Sequence, residues 1–197
     1  MLKKLLTHRL REFDSVEHTL TGMKAACKLA IPYIEIDTRV SADGIIYVYH
    51  DAHIRINGNK KRFCNLQSDE LKEFSYENGE PILHLFDGLE EFKSRAYSDQ
   101  KFCIDMKDYG FEEQHLNLVR QAGVLENVCF VSWIPQTITR IHELCPTVPC
   151  ILSHWNVHKW GWFGSVIHSF FNNRLWGIKE FALLGHNRAV QDLGKLC

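Results

Sequence analysis

Short apolar runs alternate with helix-like stretches along most of this chain, and several of the apolar runs end in charge. The runs are "KKLLTHRL", "IPYIEIDTRV", "GIIYVYHD", "KFCIDMKD", "NVCFVSW" and "VPCILSHW". Strands separated by helices pair in parallel, because each helix carries the chain back over the sheet, so the pattern defines an α/β protein. "TLTGMKAACKLA" reads as a helix capped by Thr19, with Leu20, Met23 and Cys27 on its apolar side. "FDGLEEFKSRAY" and "EEQHLNLVRQAG" look similar, the second closed by Gly123. "PQTITRIHELCP" has Pro135 near its first turn and Pro146 beyond its end. One step breaks the alternation: "SADG", between "YIEIDTRV" and "YVYHD", is too short for a crossover helix. Residues 52–80, with Asn-Gly at 57–58 and 78–79, read as a long irregular stretch of the kind that often carries function.

Side chains alternate across a strand, so Tyr33, Glu35, Asp37 and Arg39 share one face while Ile34, Ile36 and Val40 share the other. By the same parity Asp105 and Lys107 share a face with Cys103, and His50 lines up with Ile46 and Val48. A strand that is apolar at its start and charged at its end puts the charge at the mouth of a site. Three carboxylates from neighbouring strands resist ionising together unless a cation lies between them. Glu35, Asp37 and Asp105 form an all-oxygen set, which fits Mg²⁺ or Ca²⁺ better than zinc. His8 and His50 each end a strand-like run and precede an Arg or an Asp, and they suit a general acid and base flanking that cation. His18, His53, His84, His115 and His142 fall in loops or helical stretches and read as solvated or structural histidines.

With 197 residues, 45% of them hydrophobic, the chain is expected to form one domain over residues 1–197. Its 23 basic and 24 acidic residues leave no basic excess to neutralise a phosphate backbone, which argues against a nucleic-acid partner. No run approaches the ~18 apolar residues of a spanning helix. "MLKKLLTHRL" reaches His8 and Arg9 before the apolar core of a signal peptide can form. The seven cysteines include no Cys-x-x-Cys pair and fit reduced thiols, so a cytoplasmic protein is expected. In "WNVHKWGWFGSVIHSFFNNRLW", Trp160, Phe163, Ile167 and Phe170 are spaced for one helical face. That face suits either core packing or a peripheral lid toward lipid or substrate.

The ordered set "HRL…EHT…IEIDTRVSADGIIYVYHD…FCIDMKD" resembles the glycerophosphodiester phosphodiesterase family. Its pattern runs His-Arg-Gly, Glu-Asn-Thr, Glu-x-Asp, an Asp-Gly turn, His-Asp, and later Glu-x-Lys. Several pieces in order are far more specific than any one alone. The resemblance implies that Glu35, Asp37 and Asp105 hold a divalent cation, Mg²⁺ or Ca²⁺. It implies His8 and His50 as the catalytic histidines, and Arg9 and Lys107 as the phosphate-contacting cations. Glu17 matches the family's Glu after the first strand. Arg9 has the wrong parity for an inward residue, so its role requires the strand to bend at its end. Leu10, His18 and Asp105 stand where the family has Gly, Asn and Glu.

The fold implied is a TIM-type (β/α)₈ barrel with its site at the C-terminal strand ends. The activity implied is hydrolysis of a small glycerophosphodiester to glycerol 3-phosphate and an alcohol. A lysophospholipase D acting on lysophospholipids, and an impaired barrel that binds a phosphodiester or partner without turnover, are the alternatives. At 197 residues the barrel is expected to be short or incomplete at its C-terminal end, with "WGIKEFALL" as a seventh strand and "HNRAVQDLGKLC" as the helix after it. Closure would then come from packing, the terminal segment or a partner chain in an oligomer.

Overall fold

The computed structural model describes residues 6–14 and 16–153. Helices α1 (Leu20–Lys28), α2 (Ser68–Leu71), α3 (Leu85–Arg95), α4 (Glu112–Ala122) and α5 (Pro135–Leu144) interleave with seven strands. These are β1 (Tyr33–Val40), β2 (Ile46–Val48), β3 (His53–Ile56), β4 (Asn59–Arg62), β5 (Lys101–Met106), β6 (Val128–Ser132) and β7 (Cys150–Leu152). The main sheet has the order β2-β1-β5-β6-β7. Strands β1, β5, β6 and β7 are parallel, and β2 returns antiparallel beside the end of β1, as the short "SADG" link requires. Leu6 bridges Tyr33 in parallel at the start of β1.

Local signals start and stop the helices. Thr19 Oγ1 accepts the Gly22 N–H at 3.0 Å, satisfying one of the orphan donors of the first turn of α1. Gly123, at φ 73°, ends α4 in the left-handed conformation that glycine adopts without strain. Pro135 opens α5, where its missing N–H has no partner to lose.

The outer face of the sheet carries Ile34, Ile36, Phe102, Ile104, Met106 and Phe130, and the helices bury Met23, Leu89, Phe92, Val119 and Ile141 in the same core. Each fully buried side chain of this size contributes about 1.5–3 kcal/mol of apolar burial. The inner face holds Cys103, Cys129, Val131 and Ile151, with Tyr33 and Leu6 packed against them. Because β1 is covered on both sides, its inward polar side chains lie away from bulk water.

Residues 52–80 are more ordered than the sequence reading held. His53–Ile56 and Asn59–Arg62 form a hairpin closed by Asn57 and Gly58 at φ 51° and 80°, followed by a 3₁₀ turn and α2. The pair of positive φ values matches the favoured two-residue hairpin turn. Ile54, Ile56, Phe63, Leu66, Leu71 and Ile82 close a second, smaller core beneath it. The proposed seventh strand, the helix after it and the aromatic face at Trp160, Phe163, Ile167 and Phe170 lie outside the described residues.

His115 is buried between α4 and β1. Its Nδ1 donates to the Phe111 carbonyl at 2.8 Å, which leaves Nε2 to accept from the Thr38 hydroxyl at 3.0 Å. Burial lowers its pKa to about 4 from 6.5. As pH falls from 6.5 toward 4 the unfolded chain takes up a proton that the folded one does not, so stability present above pH 6.5 is lost on acidification. The full span corresponds to roughly 3 kcal/mol. Urea midpoints at pH 7 and pH 5 are therefore expected to differ more for wild type than for His115→Gln.

Candidate active site

The carboxylates come together as β-register dictates. Asp37 on β1 pairs directly with Asp105 on β5, and Glu35 lies two residues before Asp37 on the same face. One oxygen from each of Glu35, Asp37 and Asp105 lies within 4.8 Å of the others, and all three residues are buried. Burial, with the charges of Asp37 and Asp105 beside it, pushes Glu35 well above the usual carboxylate range. Burial also raises Asp105, against the pull of Lys107. Burial works against the charge on Asp37 too, but His18 and Lys107 outweigh it and hold its carboxyl low.

Lys107 reaches back over this group, with Nζ 2.6 Å from Asp37 Oδ1 and 2.6 Å from Asp105 Oδ2. Burial disfavours its charge, but Asp105 and Asp37 more than compensate and its pKa is raised. Lys107 and the Arg9 guanidinium both engage Asp37, which sets two cations against three carboxylates and leaves Glu35 with no ion pair among the described residues. Asp105 Oδ1 is buried with no hydrogen-bond partner. An oxygen-only donor set, buried, crowded and short of positive charge, fits a hard divalent cation.

The chain bends just before this cluster, as an inward Arg9 requires. Arg9 and Leu10 have φ 58° and 60°, and Leu10 packs fully buried in the main core, so the bulk at the family's glycine position points away from the carboxylates. The Arg9 N–H donates to Glu35 Oε2 at 2.8 Å, and its Nε lies 3.2 Å from Asp37 Oδ2. Glu17 Oε2 lies 3.6 Å from Arg9 Nη1 and accepts from Arg11 Nε at 2.7 Å. Glu17 thus holds two arginines at the rim.

His8 is half-buried beside Arg9; burial first, then the Arg9 charge, lower its pKa, against a smaller opposing pull from Asp37. The imidazole is accordingly neutral at pH 7. His50 lies beyond the end of β2 rather than within it. Its Nδ1 is 2.7 Å from Asp51 Oδ1, an arrangement that places the proton on Nδ1 and leaves Nε2 to exchange one. The Tyr49 N–H beside it donates to the Asp37 carbonyl at 3.0 Å, which sets this segment against the end of β1.

Three features had no counterpart in the sequence reading. His18, read as a loop or structural histidine, is fully buried with Nε2 3.1 Å from Asp37 Oδ2 and 3.0 Å from the Asp37 backbone nitrogen. Its position directly after Glu17, in the Glu-Asn-Thr piece, was the available signal. Arg39 donates from Nε to the His50 carbonyl at 2.9 Å and from Nη1 to Asp108 Oδ1 at 2.8 Å. Asp108 in turn accepts the Val40 N–H at 3.0 Å. One guanidinium therefore ties the His50 segment to the Lys107 segment.

The parallel run β1-β5-β6-β7 with helices outside, and Asp37 and Asp105 toward the C-terminal end of their pairing, matches part of a TIM-type barrel. Within that class, the chain belongs to the glycerophosphoryl diester phosphodiesterase family, whose model matches residues 6–154. No curated protein matches the chain significantly. Solved structures share the fold. A glycerophosphodiester phosphodiesterase from Agrobacterium tumefaciens is 24% identical with a TM-score of 0.64, over 75% of this chain and 65% of that one. One from Parabacteroides distasonis is 17% identical with a TM-score of 0.69, over 96% and 87%. A phosphodiesterase of Oleispira antarctica, solved with the product sn-glycerol-3-phosphate, is 17% identical with a TM-score of 0.69, over 96% and 88%. The chain spans 65% of the Agrobacterium protein's length. Among the described residues no helix is long and apolar enough to cross a membrane.

Proposed function

We propose that the chain is a divalent-cation-dependent phosphodiesterase that hydrolyses glycerophosphodiesters to glycerol 3-phosphate and an alcohol. The observation that carries this reading is the buried Glu35, Asp37 and Asp105 group, with Lys107 across it, in a chain of this family. Glu35, Asp37 and Asp105 hold the cation, Mg²⁺ or Ca²⁺. When bound, it supplies Lewis-acid stabilisation of the phosphoryl oxygens.

Lys107 and Arg9 bind the phosphate and stabilise the negative charge that grows on it in the transition state. Glu17 keeps Arg9 at the rim. His8, neutral at pH 7, takes a proton from the nucleophile, a water or the glycerol 2-hydroxyl. His50 returns a proton from Nε2 to the leaving alkoxide, its ring fixed by Asp51. The phosphorus–oxygen bond to the alcohol breaks as the new one forms; where the 2-hydroxyl attacks, the cyclic phosphodiester so formed is opened by water to glycerol 3-phosphate, with His50 taking and His8 returning the proton. Six free cysteines among the described residues support a cytoplasmic location.

The test is a substrate panel. Glycerol 3-phosphate is expected from glycerophosphocholine and glycerophosphoethanolamine with Mg²⁺ or Ca²⁺ present. Turnover confined to lysophosphatidylcholine, rising with acyl length, would instead assign a lysophospholipase D. A folded protein that binds these diesters and cleaves none would be a binding barrel.

A further inference from the structure

Beside His50 lies a pocket of about 520 Å³ lined by Tyr49, Asp51, His53, Arg55, Lys60 and Phe74. Asp51 joins it to the candidate site, because the same carboxylate holds His50 Nδ1 at 2.7 Å. The pocket's cationic wall is the outer face of the β3–β4 hairpin, whose register sets His53 opposite Arg62 and Arg55 opposite Lys60. Arg55 and Lys60 are like charges directly opposite, which destabilises an antiparallel pair, and the β4 side chains are exposed. Among the described residues no carboxylate forms an ion pair with Arg55, Lys60 or Arg62, whereas Lys61, on the other face, is 3.0 Å from Glu70. Tyr49 and Phe74 meet edge to face at 6.5 Å, giving the same pocket an apolar wall.

We propose that this pocket is the subsite for the alcohol half of the substrate, and that Arg55 and Lys60 select an alcohol carrying a negative charge of its own. The proposal rests on the phosphodiesterase reading above. A polyol or glycerol unit bearing a second phosphate or phosphodiester places carbon against Tyr49 and Phe74 and anionic oxygens against Arg55 and Lys60. A quaternary ammonium meets the two cations instead, and the carboxylate in the lining, Asp51, is engaged by His50, so choline is the disfavoured head group. The hairpin is a suitable platform because its Asn57-Gly58 turn fixes the cross-strand pairing. A membrane surface is less well matched, since two of the charges face a pocket with aromatic walls rather than a flat rim.

The experiment compares kcat/KM for bis(glycerophospho)glycerol, whose leaving alcohol carries a second phosphodiester, with that for glycerophosphocholine. It uses wild type, the double variant Arg55→Gln/Lys60→Gln, and a charge-matched control, Lys24→Gln/Lys28→Gln on α1. Wild type is expected to prefer the anionic head group, and the hairpin variant to lower that preference about tenfold. An unaltered preference, or an equal fall in the α1 control, overturns the subsite. Calorimetric binding of bis(glycerophospho)glycerol separates this proposal from the activity itself. If wild type cleaves neither diester the phosphodiesterase reading fails, and binding weakened by the hairpin variant alone keeps the subsite, while equal binding removes it. A dependence on Arg55 and Lys60 seen only with anionic vesicles would make this face a membrane contact and overturn the proposal.

Discussion

Chelation with excess EDTA is expected to abolish turnover, by about 10³-fold or more, and added Mg²⁺ or Ca²⁺ to restore it. The magnitude follows from two effects acting together. The first is loss of the Lewis acid. The second comes from the chain's own residues: Lys107 Nζ lies 2.6 Å from both Asp37 and Asp105, so a cation that engages those carboxylates frees the ammonium for the phosphate. Asp37→Asn is expected to reproduce the loss, and here metal does not rescue it. This variant removes the carboxylate shared by Arg9, His18 and Lys107, so circular dichroism must accompany the rates. Turnover that survives both chelation and Asp37→Asn would show that the acidic group is not part of the chemistry.

Replacing His8 by Ala is expected to lower kcat by roughly 10²–10⁴-fold, the usual worth of one positioned acid or base. The same range applies to His50→Ala. Neither histidine is among the three carboxylate ligands, so both variants should bind the cation as wild type does. The pH profile adds a check on His8. A base must be unprotonated, so kcat/KM falls as pH drops through its pKa. Burial and the Arg9 charge set that pKa below 6.5, and the acid limb is expected on the acid side of pH 6.5. A limb above pH 6.5, or an unaltered profile in His8→Ala, would remove His8 as the base.

The short range of strand parity made much of this site readable. Tyr33, Glu35, Asp37 and Arg39 share a face because every second residue must, and parallel pairing then sets Asp37 against Asp105. Capping by Thr19, the stop at Gly123 and the hairpin at "SADG" are equally local and were legible for that reason. The β3–β4 hairpin had a local signal in the Asn-Gly after "HIRI", but the surrounding charges masked its alternation and the stretch reads as irregular in the sequence. What could not be read joins residues far apart in the chain. Arg39 meets Asp108 across 69 positions, and Glu80 accepts from the Leu20 N–H across 60. His18 was missed for a different reason. Its φ of 60° turns the ring inward from a segment that has no strand or helix period to betray its direction.

Calorimetric titration of metal-free protein with Ca²⁺ and Mg²⁺ tests most directly whether the three buried acids hold a cation. One site per chain is expected, weakened strongly by Asp37→Asn and retained in His8→Ala. Heat that is absent at millimolar metal in folded protein, or unaffected by Asp37→Asn, would contradict it.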